Sequence, residues 1–252
     1  TGVGSLIIFS GLFSIFALPI VYFIYPAVFA VSLIQTIGFL LSGILMVIAV
    51  VCYLYALQND EPTFVVAFYQ VIPIFAFVLA YITLGEVLTV KQAVASLFVL
   101  AGTLTLSFDI AGERIRFKKR VVILMLCAAL SYALSDVLFK HFALQEGFWP
   151  GTFWVFAGKV LTGIFFLVCI ASYRKQFFAV LKEAKAKILG LNSFGESLAI
   201  GADASVQYAL LLAPVALVSL VNSFQPAFVF LLGVAITIFL PNVSEETLSR
   251  KV

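Results

Sequence analysis

Charge is what this sequence has least of. Only 11% of its 252 residues are Asp, Glu, Lys or Arg, against roughly 25% in an ordinary soluble domain. A water-soluble globule built from such a chain could not cover its own surface. A soluble domain large enough to house an enzyme is therefore excluded, and lipid is the expected solvent. Histidine occurs once, at His141, and cysteine three times, at Cys52, Cys127 and Cys169, each inside an apolar run and none at metal-ligand spacing. So few donors make no metal site, and the thiols read as small apolar fillers between helices. Paired aspartates at ligand spacing, a Ser/His pair and a His-rich core are missing, and so is Gly-x-x-x-x-Gly-Lys-Ser/Thr. The first absences leave no catalytic residue and no cofactor to expect, and the last argues against an ATP-driven pump in this chain. A net charge of +3 gives no reason to expect a nucleic-acid partner.

What the chain has in abundance is apolar length. Hydrophobic residues make up 63% of it, with a mean hydropathy of +1.18. A bilayer core of about 30 Å needs about 20 apolar residues at 1.5 Å each. Eight segments meet or approach that length, at 5–26, 33–57, 62–84, 92–108, 121–141, 152–172, 188–212 and 214–240. They are apolar all round and lack the ten-residue alternation of an outer-membrane barrel, so helices are expected. Pro62 and Pro214 suit first turns. Pro19, Pro73 and Pro226 fall inside spans, where each is expected to kink its helix and free a carbonyl. Ten of the fifteen Lys and Arg sit in two connections, 109–120 and 173–187. Two spans separate these connections, so they share one side, and the positive-inside rule makes that side cytoplasmic. Trp149 and Trp154 flank a span start at the other side, where an aromatic belt or plain packing would each place them.

The chain also resembles itself. Tyr55-Ala56-Leu57 returns 153 residues later as Tyr208-Ala209-Leu210, and the same offset carries Pro73 onto Pro226. After seven extra residues in the second copy, Glu86-Val87-Leu88-Thr89-Val90-Lys91 is matched by Glu246-Thr247-Leu248-Ser249-Arg250-Lys251. The matches keep their order and their place relative to the spans. Internal repeats of this kind are a common transporter design, with the substrate site between the halves near the midplane. The expected halves are 1–110 and 121–252. Each should own five helices, so the eight visible spans leave a first and a last helix unaccounted for.

Tyr55-Ala56-Leu57, Pro62, Pro73, Leu84-Gly85-Glu86-Val87-Leu88-Thr89 and the apolar span ending in Ala101-Gly102 together resemble the EamA-type permeases of the drug/metabolite transporter superfamily. The second copy is looser, because Pro241-Asn242-Val243-Ser244-Glu245 interrupts the usual Gly-Glu. The resemblance implies an all-α integral membrane protein of two inverted five-helix repeats, a ten-helix carrier of amino acids, nucleotide-linked metabolites or drugs, often out of the cell. It implies the bacterial cytoplasmic (inner) membrane. It also implies helix-end positions for Glu86 and Glu246, which read as caps rather than ligands. Relatives are assigned with both termini in the cytoplasm, which would put 109–120 and 173–187 outside, the reverse of what the charge rule gives.

Ionisable groups inside a membrane cost about 2.5–3.5 kcal/mol each on insertion scales and invite a functional reading. Asp136, Lys159, Glu196 and Asp203 are such groups. Asn192, Glu196, Ala199, Asp203 and Gln207 recur at i, i+4, i+7, i+11 and i+15, one stripe of a helix that should face the bundle interior or a wet cavity. Asp203 would bind a cation or hold and release a proton, and Lys159 would either join it in the site or lock it into a fixed ion pair. Asp136, five residues from His141, is expected near a helix end. Tyr69 and Gln70 before Pro73, and Asn222 and Gln225 before Pro226, can present hydrogen bonds to a ligand or tie helices together. Gly38, Gly43, Gly158 and Gly163 read as close-packing positions. The function expected is a secondary carrier of a small organic metabolite, an amino acid or drug-like compound, alternating between two repeats with proton coupling as an option. A channel or a receptor-like scaffold is the alternative. The expected partners are the small-molecule substrate and the lipid bilayer, with a homodimer as one arrangement.

Overall fold

A computed structural model describes residues 2–59, 65, 68–111, 119–183, 186–225, 228, 231 and 232. Among these the chain is all helix, with no strand. The helices are α1 (Val3–Phe13), α2 (Ala17–Ile24), α3 (Leu33–Leu57), α4 (Ile72–Leu84), α5 (Val90–Ala111), α6 (Lys119–Glu146), α7 (Phe148–Cys169), α8 (Ala171–Glu183), α9 (Ala186–Leu212) and α10 (Val215–Asn222).

Local sequence sets where the helices begin and end. Helix α3 opens on a capping box, in which Gln35 N–H donates to Ser32 Oγ at 3.4 Å and Ser32 N–H to Gln35 Oε1 at 3.2 Å. The same device starts α5, with Gln92 N–H on Thr89 Oγ1 at 3.3 Å and Thr89 N–H on Gln92 Oε1 at 2.9 Å. Each box satisfies two otherwise orphaned donors. Gly85 ends α4 at φ 66° and Gly147 turns the chain from α6 into α7 at φ 90°, conformations that cost a side chain 1–2 kcal/mol. Pro19 acts as expected. The backbone tightens to a 3-10 turn over Ser14–Phe16 between α1 and α2, and Pro19 has no N–H to return to the preceding turn. Pro73 does not. It stands in the first turn of α4, after a 3-10 turn at Phe68–Val71, so it starts a helix instead of kinking one. Pro226 lies outside the described residues.

Among the described residues four helices are long and apolar enough to cross a bilayer: Val3–Ile24, Leu33–Leu57, Lys119–Glu146 and Phe148–Cys169. The expected span 92–108 lies within α5, Val90–Ala111, and the one at 62–84 is described from Phe68 to Leu84 as an apolar helix. Helix α9 has 27 residues, enough to span, but its polar stripe dilutes its hydropathy. Most of 214–240 lies outside the described residues. The connection expected at 173–187 is in large part a helix, α8, whose short amphipathic pattern looks like a loop to any test for apolar length.

Successive spans alternate in direction. One end of the bundle holds the α2–α3, α4–α5, α6–α7 and α9–α10 turns. The other holds the start of α1, the start of α6 with exposed Lys119 and Arg120, and α8. We call the second the basic end. Helix α3 sits at the centre, packed on α6 and α7, and Phe39, Val137, Phe139, Val155 and Leu210 fill the core there. The outward faces carry large exposed apolar side chains, among them Phe23, Leu33, Ile34, Ile82 and Leu97. In hydrocarbon these are the favourable surface. Cys127 and Cys169 are also exposed, so they fill no helix interface, and Cys52 is half-buried. Trp154 packs beside Val21, Val28 and Phe153 and donates its indole N–H to Val28 O at 2.9 Å, which makes it an internal tie.

Small residues let the backbones close. A Cβ at Gly158 of α7 would collide with the Leu40 carbonyl of α3, one at Gly43 with the Val155 carbonyl, and one at Gly163 with the backbone of Gly11. This is the packing expected where lipid supplies no hydrophobic drive between helices. Gly158→Val should therefore lower stability by about 1–3 kcal/mol, read as an earlier unfolding midpoint in detergent. Gly190→Val, where nothing lies within 4 Å, should leave the midpoint in place. Equal midpoints for the two variants would contradict the close contact.

Candidate functional site

The polar stripe of α9 meets the bundle at one ion pair. Lys159 Nζ of α7 lies 2.7 Å from Asp203 Oδ2, with the two side chains 10% and 25% exposed. The ammonium also stands 5.5 Å from the centroid of the Phe156 ring, within cation–π range. The pair borders a cavity of about 190 Å³ between α1, α3, α6, α7 and α9, whose walls include Ser10, Met46, Val50 and Tyr132. Every one of these wall residues lies well inside its span. Two buried charges are tolerable there only as partners, because stripping one of its counter-charge costs about 3–5 kcal/mol.

Two further carboxyl groups surround the pair. Glu196, two turns nearer the basic end on α9, accepts a hydrogen bond from Ser10 Oγ at 2.9 Å. Asp136 lies one turn beyond Tyr132 on α6, and Tyr132 lines the same cavity as Asp203. Among the described residues neither Asp136 nor Glu196 has a cationic partner. Around the middle of α6, α7 and α9 the chain thus carries three carboxyl groups and, in Lys159, one ammonium paired with one of them. Asp136 is not near a helix end as expected. Helix α6 runs on to Glu146, so Asp136 belongs to the body of the span. Tyr69 reaches this site through rings, its centroid 5.1 Å from that of Tyr53 and 6.2 Å from that of Tyr132. One turn beyond Asp203, Gln207 is 5% exposed, and neither atom of its amide has a hydrogen-bond partner. A buried amide left open costs about 1–3 kcal/mol.

A second polar cluster closes the opposite end. Glu86 follows α4 and pairs with Lys140 of α6 at 2.5 Å, side chains 16% and 9% exposed. Glu86 Oε2 accepts the Val215 N–H at 2.7 Å, and Lys140 Nζ donates to Ala213 O at 2.7 Å. The carboxylate therefore sits at the N-terminus of α10 and the ammonium at the C-terminus of α9, each complementing its helix dipole. Glu86 caps as the sequence suggests, but the helix it caps is remote from it along the chain.

Residues 2–108 match the model of the EamA-like transporter family. That part of the chain is EamA-like. The family is one of membrane transporters of the drug/metabolite transporter superfamily, and with the four long apolar helices it marks the chain as an integral membrane protein. Nothing among curated proteins or solved structures matches the chain.

The EamA-like segment supplies Ser10, Met46, Val50 and Tyr69 to the site, while its ammonium and carboxyl groups come from beyond residue 108. Lys159 and Asp203 meet directly, Glu196 joins them through Ser10 and Tyr69 through Tyr132, while Asp136 and Gln207 lie one turn from Tyr132 and Asp203. Asn192 is exposed, and the stripe turns inward only from Glu196 on. Gln70 is 1% exposed and donates to Ser223 O at 3.2 Å, a tie between α4 and the end of α10. Asn222 and Gln225 are exposed and do not join the site, because the face that α10 turns inward carries Val215, Val218 and Ser219. Sequence reasoning missed Ser10, Tyr132 and Lys140. Lys140 stood beside His141 at the end of an expected span and so looked interfacial.

Removing one partner of the Glu86–Lys140 clasp strands a buried charge. Lys140→Met should cost about 3–5 kcal/mol. The double variant Glu86→Gln, Lys140→Met should recover much of that loss in thermal unfolding. A double variant no more stable than Lys140→Met alone would show that the two charges are not coupled.

Proposed function

We propose that this chain is a secondary carrier for a small organic metabolite, an amino acid or a drug-like compound of low mass, moving it by alternating access with proton coupling. The observation that carries the reading is the Lys159–Asp203 pair on the wall of a closed-in cavity at mid-span. At about 190 Å³ that cavity is smaller than the roughly 300–1,000 Å³ of pockets for drug-sized ligands, which favours compounds with few heavy atoms. The excess of carboxyl groups over ammonium favours a substrate bearing a cationic amine, or a proton in its place. When a proton neutralises Asp203, Lys159 is released to hold an anionic group. When Asp203 ionises again, the pair re-forms and expels it. Proton binding thus favours binding of the anionic group, and one coupling free energy links the two ligands.

The alternation is assigned to two inverted repeats, 1–110 and 121–252. Support comes from direction and contact. Helices α1 and α3 correspond to α7 and α9 in this scheme, and each runs opposite to its counterpart. Helices α1 and α7 pack together. Gln70 bonds to Ser223, the residue 153 positions on that the repeat offset pairs with it. A residue beside a pseudo-two-fold axis meets its own equivalent, and this contact is what such an axis requires. The clasp at Glu86 and Lys140 then closes one end while the cavity lies toward the other. The bacterial cytoplasmic membrane is the proposed location.

The test is uptake and efflux by proteoliposomes holding the full-length chain, over a panel of amino acids and other small amines, with and without a pH gradient. Asp203→Asn and Lys159→Gln should each reduce transport at least about tenfold, the order expected for loss of a charge-assisted contact worth more than about 1.4 kcal/mol. Glu196→Gln should weaken the response to the pH gradient. Wild-type rates in both Asp203→Asn and Glu196→Gln would sink the reading.

A further inference from the structure

Helix α8 joins the last turn of α7 to the first turn of α9, both at the basic end. A helix so tethered between two helices that leave the hydrocarbon lies in the headgroup layer. Its inner face is fixed to the bundle. Tyr173 is 9% exposed, and its hydroxyl meets that of Tyr55 at 2.5 Å. Gln176 Oε1 accepts the Gly4 N–H at 3.1 Å.

The outer face differs in kind. Arg174, Lys175, Phe178 and Lys182 are exposed and frame a shallow depression of about 460 Å³ floored by Ala179. Positions 174, 178 and 182 are successive turns of one helical face. Arg174 spends one N–H on Val168 O at 3.0 Å, which orients the guanidinium and leaves its other donors free. Phe178 is 48% exposed between the cations, although α8 as a whole is not apolar. Lys119 and Arg120 are exposed at the same end. Cations flanking an apolar ring at headgroup depth make the interfacial pattern that holds anionic lipid.

We propose that the outer face of α8 binds anionic phospholipid headgroups of its leaflet. Arg174, Lys175 and Lys182 take the phosphate oxygens, and Phe178 lies against the glycerol and upper acyl chain. The bound lipid fixes α8, and through Tyr173 and Gln176 it fixes the start of α1 and the end of α3. The proposal rests on the chain's spanning the membrane and not on what it carries.

The test is electron paramagnetic resonance on the full-length chain in phosphatidylcholine vesicles, with a trace of spin-labelled phosphatidylglycerol or spin-labelled phosphatidylcholine. The wild type should immobilise phosphatidylglycerol in preference, and added salt should erode that preference because exposed charges are screened. The variant Arg174→Gln, Lys175→Gln, Lys182→Gln should lose it, by about fivefold in relative affinity for each charge removed. Equal immobilisation of the two lipids by the wild type, or a preference insensitive to salt, would overturn the proposal without reference to any variant. So would a preference that survives the triple change. Displacement of the labelled lipid by inorganic phosphate at low concentration would assign the surface to a free anion instead.

Discussion

A charge taken into hydrocarbon is tolerated only if something answers it, and the arrangement of this protein turns on how that demand is met for Lys159. Its ammonium lies midway along α7. Asp203 answers it at 2.7 Å. That contact ties α9 to α7, beside the apolar contacts that Leu210 and its neighbours make in the core. On the same helix Glu196 accepts from Ser10 and Gln207 is buried. The apolar core beside it needs no such direction, because Leu, Val and Phe side chains pack equally well on neighbours or on lipid.

The two buried ion pairs have different surroundings, and the difference bears on what each can do. Lys140 and Glu86 each make a further bond to backbone at a helix end, so their charges are satisfied several times over and their positions are fixed. Lys159 and Asp203 have no comparable set of backbone partners, and they border empty space. A pair satisfied on all sides holds helices together. A pair that faces a cavity is packed on fewer sides.

Much of this was legible in the residues. The i, i+4, i+7, i+11 spacing along 192–207 pointed to an inward face, and from Glu196 on the face is inward. The order of Tyr55, Pro73 and Glu86 pointed to an EamA-like chain, and residues 2–108 match that family. Other features were not legible. An eight-residue helix such as α10 shows too few turns for a pattern to say which side is buried, so Asn222 and Gln225 were placed with the ligand-facing groups and are instead exposed. Helix α8 is polar in composition, and its amphipathic character serves an interface rather than a core, so it passed for a connection. Ser10 carries no signal of its own among the small residues of α1.

What the sequence alone determined is the solvent and the elements: lipid, because so few residues carry charge, and helices, because backbone groups in lipid must be satisfied within their own segment. It also determined which groups would be costly to bury, since cost depends on residue type. Which of those groups meet was decided only by tertiary structure. Partnership across helices depends on rotation and depth to within an ångström or two, set by where Gly43, Gly158 and Gly163 let backbones close. Those contacts connect residues far apart in the chain, and no local pattern encodes them.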